Sequence, residues 1–196
     1  MHDAEVPLVT RKGEHMYYFD TMESPIGALV LTSDGDNLTG VWFQGQKLER
    51  VSVKDQKGVF DPDVSALQQG RDWLERYFAN PGTDPGALPP CNPAGSEFRK
   101  AVCQIMSEIP YGQLTTYGDI AKELVRRGVL KRPSAQAVGG AVGHNTVGIV
   151  IPCHRVIGAK GNLTGYGGGM KRKVFLLAHE GVDMSALTVP TKGTAL

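Results

Sequence analysis

The stretch TTYGDIAKELVRRGVLKRPSAQAVGGAVGHN, residues 115–145, decides how the second half of this chain is built. Two short helical segments flank a brief basic turn. The first opens at Thr116, a side chain able to cap a helix, with Asp119 three residues on, and stops at Gly128. The second starts behind Pro133 with Ser134 as its cap. Two helices joined by RRGVLKRP read as a helix-turn-helix. An ordinary helical hairpin in a core has the same spacing, and the surrounding positive charge favours a nucleic-acid surface instead. The second helix carries Gly139, Gly140 and Gly143. Each costs about 1 kcal/mol against alanine in a helix interior. Positions without side chains let a helix backbone approach another surface closely, either the adjacent sheet or a nucleic-acid backbone.

Further out, VGIVIPCHRVIG (147–158) reads as an apolar strand ending at Pro152. AKGNLTGYGGG (159–169) is a glycine-rich loop with one aromatic, Tyr166. KRKVFLLAHEG (171–181) is a helix, basic at its start, with Gly181 as its stop. Residues 185–196 read as a loose tail. On the other side, SEFRKAVCQIMSEI (96–109) is a helix capped by Ser96, with Phe98, Val102, Ile105 and Ile109 as its apolar stripe. Cys103 lies beside that stripe and reads as a packed thiol.

NPGTDPGALPPCNP (80–93) holds five prolines and two glycines and marks a boundary. Before it, residues 16–24, 27–33 and 38–45 read as strands, with a hairpin turn at Asp34–Asn37, and residues 63–80 as a helix with Leu67, Leu74, Tyr77 and Phe78 on one side. That half shows no catalytic cluster and reads as a support. The division is 1–15 as a flexible extension, 16–92, 93–184, and 185–196. Charge divides with it: residues 1–93 carry a net −6 and residues 94–196 a net +7. A basic half on a near-neutral chain suits a polyanionic partner, chance surface charge being the alternative. No apolar run approaches the roughly 18 residues of a membrane span, and the first fifteen residues lack the apolar core of a signal peptide. Three scattered cysteines, Cys91, Cys103 and Cys153, suit a reducing, intracellular setting better than a disulfide framework, and without a CxxC pair no structural zinc site is expected.

Cys153 stands between Pro152 and His154. A free thiol is only roughly 3% thiolate at pH 7, so a nucleophile here needs a base or a cation. His154 is the nearest base, but successive residues of a strand face opposite ways. It can serve Cys153 only if the chain bends at Pro152 or a water bridges the two. A histidine base wants a third group, which Glu180 on the last helix could supply, and Asn145 could brace the turn. The residues alone leave two readings open: Cys-His-Glu catalysis, or a buried structural cysteine beside a histidine. His144 and His179 receive no role.

These motifs together, IPYGQLTTYGDIA (109–121), AVGGAVGHN (137–145), IPCHRVIG (151–158), LTGYGGG (163–169) and LLAHEG (176–181), resemble the O6-alkylguanine-DNA alkyltransferases, over about residues 16–184. The resemblance implies a ribonuclease-H-like α/β N-terminal domain and a mainly α C-terminal domain with a winged helix-turn-helix. It implies repair of alkylated DNA by transfer of the alkyl group from O6 of guanine, and from O4 of thymine, to the protein's own cysteine. Transfer would occur once per molecule, without cofactor or metal. The partner would be double-stranded DNA met through the minor groove by a monomer, with the damaged nucleotide flipped out. By position, Cys153 would accept the alkyl group, His154 act as a water-mediated base, Glu180 orient it, and Asn145 tie the recognition helix to the turn. Tyr117 would touch the base and the 3′ phosphate and could protonate guanine N3. Tyr166 and Gly167 would cover the flipped base, and Lys173 would be a pocket lysine. Ser134, Gln136, Ala137, Gly140 and Arg155 would lie at the DNA. The carbonyls of Cys153 and Val156 would accept from guanine's exocyclic amine. The chain departs from the pattern twice: Gln136 stands where many relatives insert an arginine, and Gly148 where some have proline. A damage-binding module without the cysteine and a cysteine hydrolase are the competing classes. The presence of Cys153 argues against the first and the basic face against the second.

Overall fold

A computed structural model of the chain describes residues 16–46 and 57–189. The extension expected over 1–15 lies outside them, as do residues 190–196 of the expected tail.

The first half is a twisted sheet with one helix. Strands β1 (Met16–Met22), β2 (Leu29–Ser33) and β3 (Leu38–Phe43) form an antiparallel meander, and β4 (Lys57–Phe60) joins β1 in parallel, giving the order β3-β2-β1-β4. The β2–β3 turn forms at the expected Asp34–Asn37: the Asp34 carboxylate accepts from Asn37 N–H at 2.8 Å. Alternation puts Leu29 and Leu31 of β2 opposite Phe43 and Val41 of β3 on one face, all buried. Helix α1 (Ser65–Ala79) packs on the sheet through Leu67, Leu74 and Tyr77. The short β4 went unread, because four residues with one glycine carry little periodic signal.

The outer edge of β3 is not left to solvent. Leu38 N–H donates to Pro90 O and Asn92 N–H to Leu38 O, each at 2.8 Å. Val41 N–H donates to Thr146 O at 2.8 Å, and Gly148 N–H to Val41 O at 3.0 Å. The proline-rich connection and the turn before Cys153 thus complete the edge as a neighbouring strand would.

The second half holds α2 (Glu97–Ser107), α3 (Tyr117–Arg126), α4 (Ala135–Val142) and α5 (Met170–His179), with β5 (Thr115–Thr116) paired in parallel to β6 (Val156–Ile157). The three caps form as read: Ser96 Oγ accepts from Arg99 N–H, Thr116 Oγ1 from Asp119 N–H and Ser134 Oγ from Ala137 N–H. One hydrophobic core crosses both halves, joining Leu31, Leu67 and Tyr77 to Met106, Leu124 and Val138. Cys103 is packed within it, and burial pushes its thiol up to about 11.

Two expectations are corrected. Residues 147–152 are not a strand: after the single bridge Val41–Val147 the chain coils, with Val150 N–H on Gly148 O at 2.8 Å and Ile149 at φ +66°. An L-residue there costs about 1–2 kcal/mol, which burial of the whole Ile149 side chain, worth about 1.5–3 kcal/mol, offsets. The start of the expected tail is also tied down, with Leu163 N–H on Thr188 O and Thr188 N–H on Gly161 O, both at 2.9 Å. Among the described residues no helix is long and apolar enough to cross a membrane.

Candidate active site around Cys153

Cys153–Arg155 forms one turn of 3-10 helix after Pro152. Cys153 N–H donates to Ile151 O at 2.8 Å and Arg155 N–H to Pro152 O at 3.0 Å. The bend required of a Cys-His pair is therefore present. It leaves Cys153 half-buried as a residue and folds His154 fully inside.

His154 Nε2 lies 2.7 Å from Glu180 Oε1. A carboxylate only accepts, so Nε2 carries the proton and Nδ1 presents a lone pair. That Nδ1 is buried and has no hydrogen-bond partner among the described residues, so the ring does not bond the sulfur directly. Burial pulls the imidazole below its ordinary pKa, outweighing the bond to Glu180. The ring is thus neutral at pH 7, with an unoccupied basic nitrogen.

Glu180 caps α5 and gathers donors from four residues in three parts of the chain. Besides His154, it accepts from Arg155 Nε at 2.8 Å and Nη2 at 3.0 Å, from the Tyr77 hydroxyl at 3.0 Å and from Gly112 N–H at 3.1 Å. Burial alone would raise its pKa, but the bonds and charges of His154 and Arg155 win and hold it at about 2. Tyr77 and Gly112 were not foreseen. The signal for Tyr77 was a phenol on an apolar helix face, which needs a buried partner for its hydroxyl.

Arg155 is a correction. Expected at the DNA, it is buried, and its guanidinium is spent on Glu180 and on Ile109 O at 2.6 Å. Lys173, expected in the pocket, is fully buried and ties the turn to the glycine loop, donating to Val156 O at 2.6 Å and Thr164 O at 2.9 Å. Burial lowers its pKa to about 8, against the effect of Cys153. The Val156 carbonyl is therefore already engaged, and the Cys153 carbonyl accepts from Val156 N–H.

Asn145 closes the coil. Its amide donates to Ile151 O at 2.8 Å and accepts from Val147 N–H at 3.1 Å, spanning the strained Ile149. Burial raises the Cys153 thiol, while the Asn145 amide, Lys173 and nearby backbone N–H groups pull it down; the net shift is upward. Tyr117 begins α3, and its hydroxyl reaches Thr164 O at 3.3 Å. Burial raises its pKa, so it stays a donor.

Helix α4 turns Gln136, Ala137 and Gly140 to solvent, with Ser134 half-buried at its cap. A β-carbon on Gly140 would meet no protein atom within 4 Å. Its lack of a side chain serves no packing inside the molecule.

Cys153 lines a narrow cavity with Asn145, Gly148, Tyr166 and Gly167. Val41 and Phe43 of β3, with Gln46 just beyond that strand, also line it, so the first half is more than a support. A proline at 148 would lose the N–H bond to Val41 O, and a β-carbon there would stand 3.0 Å from that oxygen. No group of three or more His, Cys, Asp or Glu among the described residues is placed to hold a metal.

Two family models match the chain. Residues 17–88 match the ribonuclease-like domain of 6-O-methylguanine DNA methyltransferase, and residues 97–182 its DNA binding domain. A methylated-DNA–protein-cysteine methyltransferase of Haemophilus influenzae is 37% identical over 164 residues, covering 83% of this chain and 86% of its own. The crystal structure of Mycobacterium tuberculosis O6-methylguanine methyltransferase superposes with a TM-score of 0.66 at 36% identity, covering 84% of this chain and 93% of that one. That of Mycobacterium tuberculosis OGT in complex with DNA gives 0.66 at 37% identity, covering 84% and 92%.

Proposed function

The chain belongs to the 6-O-methylguanine DNA methyltransferase family, and from that membership we propose that Cys153 removes the alkyl group of O6-alkylguanine from double-stranded DNA, once per molecule. The activity is that of a methylated-DNA–protein-cysteine methyltransferase, acting in DNA repair. One observation carries the assignment of roles: a half-buried cysteine on a tight turn, lining a cavity, beside a neutral imidazole whose Nε2 is fixed by Glu180 and whose Nδ1 is free to accept.

The chemistry follows from these groups. His154 Nδ1 takes the thiol proton through a bridging water, since it makes no direct bond to the sulfur. The thiolate pair forms the new S–C bond while the C–O6 pair returns to guanine. Tyr117, held protonated, supplies a proton at N3, and the proton on the imidazole restores the tyrosine. In sum, the sulfur exchanges its hydrogen for the alkyl group, and guanine gains that hydrogen. The stable thioether leaves no nucleophile, so one molecule acts once. A displacement at saturated carbon suits a soft thiolate.

The exposed face of α4, with Gln136, Ala137 and Gly140, would lie in the minor groove of the duplex. Gln136 would fill the gap left by the flipped nucleotide, at a flipping cost of a few kcal/mol. Tyr166 and Gly167 would cover the base. A protein of this kind acts inside the cell as a monomer, and O4-alkylthymine would be a second substrate.

The test is the intact mass of the protein after incubation with a duplex containing one O6-methylguanine. A gain of one methyl group, located on Cys153 and stoichiometric at saturation, is expected. No adduct, an adduct on Cys91 or Cys103, or continued turnover would overturn the assignment.

A further inference from the structure

We propose that the sheet half of the chain sets which alkyl groups Cys153 accepts, with Phe43 and Gln46 as specificity-determining residues for methyl against bulky O6 substituents. The inference rests on the function proposed above and narrows its substrate class. Four observations carry it.

The cavity that Cys153 opens into has Phe43 and Gln46 in its wall, on the side facing Tyr166 and Gly167. Its free volume is about 20 Å³, room for about one water-sized group. The base and its O6 substituent therefore enter only as the loop gives way, and each atom added beyond methyl presses further on this wall.

The second observation is how the glycine loop closes on Phe43. A β-carbon on Gly168 would stand 2.7 Å from Phe43 Cε2 and 2.7 Å from Tyr166 Cε1. Gly168 is therefore slotted between two rings, one from each half of the chain, and only a residue without a side chain fits.

Third, the slot is pinned. The Arg172 guanidinium lies over the Phe43 ring, 4.0 Å from its centroid, donates from Nη1 to Gly168 O at 3.0 Å, and from Nε to Ile26 O at 2.9 Å. One side chain thus binds the ring, the loop and the β1–β2 turn together.

Fourth, Gln46 is held in place at the rim. Its N–H donates to Phe43 O at 2.9 Å, and its Oε1 accepts from Phe43 N–H at 3.2 Å. Its Nε2 lies 3.1 Å from where a β-carbon on Gly167 would be. A substituent larger than methyl must therefore displace Gln46 or lift the loop from Phe43. Proline at 148, the other route to reshaping this cavity, conflicts with the bond from Gly148 to Val41.

The experiment uses the full chain and two duplexes, one with O6-methylguanine and one with O6-benzylguanine. Single-turnover rates of Cys153 alkylation are read by intact mass for the parent, Phe43→Ala, Phe43→Leu and Gln46→Ala. Relieving an overpacked contact is worth about ten-fold in rate, so the benzyl-to-methyl ratio should rise about ten-fold in Phe43→Ala. It should rise less in Phe43→Leu and in Gln46→Ala. If Phe43→Ala does not fold, Phe43→Leu and the half-exposed Gln46→Ala decide. A ratio unchanged across the folded variants, in a parent that does transfer methyl, overturns this proposal alone. A parent that alkylates from neither duplex overturns the proposed function, and this inference with it.

Discussion

Replacing Glu180 by glutamine changes one oxygen into an NH2 group and removes one charge. The consequences can be worked from five bonds. Oε1 accepts from His154, the Tyr77 hydroxyl and Arg155 Nη2, and Oε2 accepts from Arg155 Nε and Gly112 N–H. If the glutamine oxygen keeps the first three, its NH2 faces two donors. If the amide turns over, its NH2 faces three, and His154 is satisfied only by moving its proton to Nδ1, which destroys the base. Either way Arg155, buried and with no other carboxylate among the described residues bonded to it, keeps an uncompensated charge. Breaking a buried pair from one side costs about 3–5 kcal/mol, against about 5–15 kcal/mol for a whole domain. Urea unfolding at pH 7 should show that loss, and single-turnover methyl transfer should slow with it. The pH dependence is a separate check. The Glu180 pKa is about 2 in the fold against 4.5 as a free group, so its contribution is complete above 4.5 and disappears as pH falls through 2. That is on the order of 3 kcal/mol. The stability gap between the parent and Glu180→Gln should therefore close as pH falls from 4.5 towards 2. A variant within about 1 kcal/mol of the parent at pH 7, or a gap that does not change with acid, would refute the view of Glu180 as a charge-bearing hub.

Two further outcomes follow from the same geometry. Because burial raises the Cys153 thiol above its ordinary 9.0, the neutral form dominates from pH 7 to 9. Burial also pulls the His154 imidazole below its ordinary range, so the pair that passes the proton from thiol to imidazole is fully populated from pH 7 to 9, and methyl transfer should be level there; a rise of about ten-fold per pH unit would show the proton going to solvent instead of His154. Gln136→Arg adds a cation to the exposed face of α4, so the slope of log affinity for duplex DNA against log salt should steepen by about 0.9. An unchanged slope would place residue 136 away from the phosphates.

What the sequence disclosed depended on the range of each signal. Helix caps are local, and Ser96, Thr116 and Ser134 were all legible because a hydroxyl and an N–H three residues on suffice. The Asp34–Asn37 turn was legible for the same reason. Apolar runs are ambiguous: VGIVI has the composition of a strand, yet Asn145 and the burial of Ile149 coil it. Cys153 and His154 were found by adjacency, and Glu180 by its place in a motif. Tyr77 reaches Glu180 across 103 residues of sequence, and Phe43 reaches Gly168 across a similar distance. Nothing local marks such pairs. Arg155 misled because an arginine beside a reactive cysteine looks solvent-facing until the buried carboxylate it serves is known.

The bonds from β3 to Pro90, Asn92, Thr146 and Gly148 have a last consequence. They run through amide and carbonyl groups, which nearly every residue supplies, so this seam is indifferent to which side chains occupy it. It is not indifferent to how many residues lie along it. Inserting or deleting one between His144 and Cys153 would put the coil closed by Asn145 out of step with its anchor on β3 and displace the turn that carries the thiol. The seam itself therefore fixes a length, while the identities along it are fixed by other contacts, those of Asn145, Gly148 and Ile149.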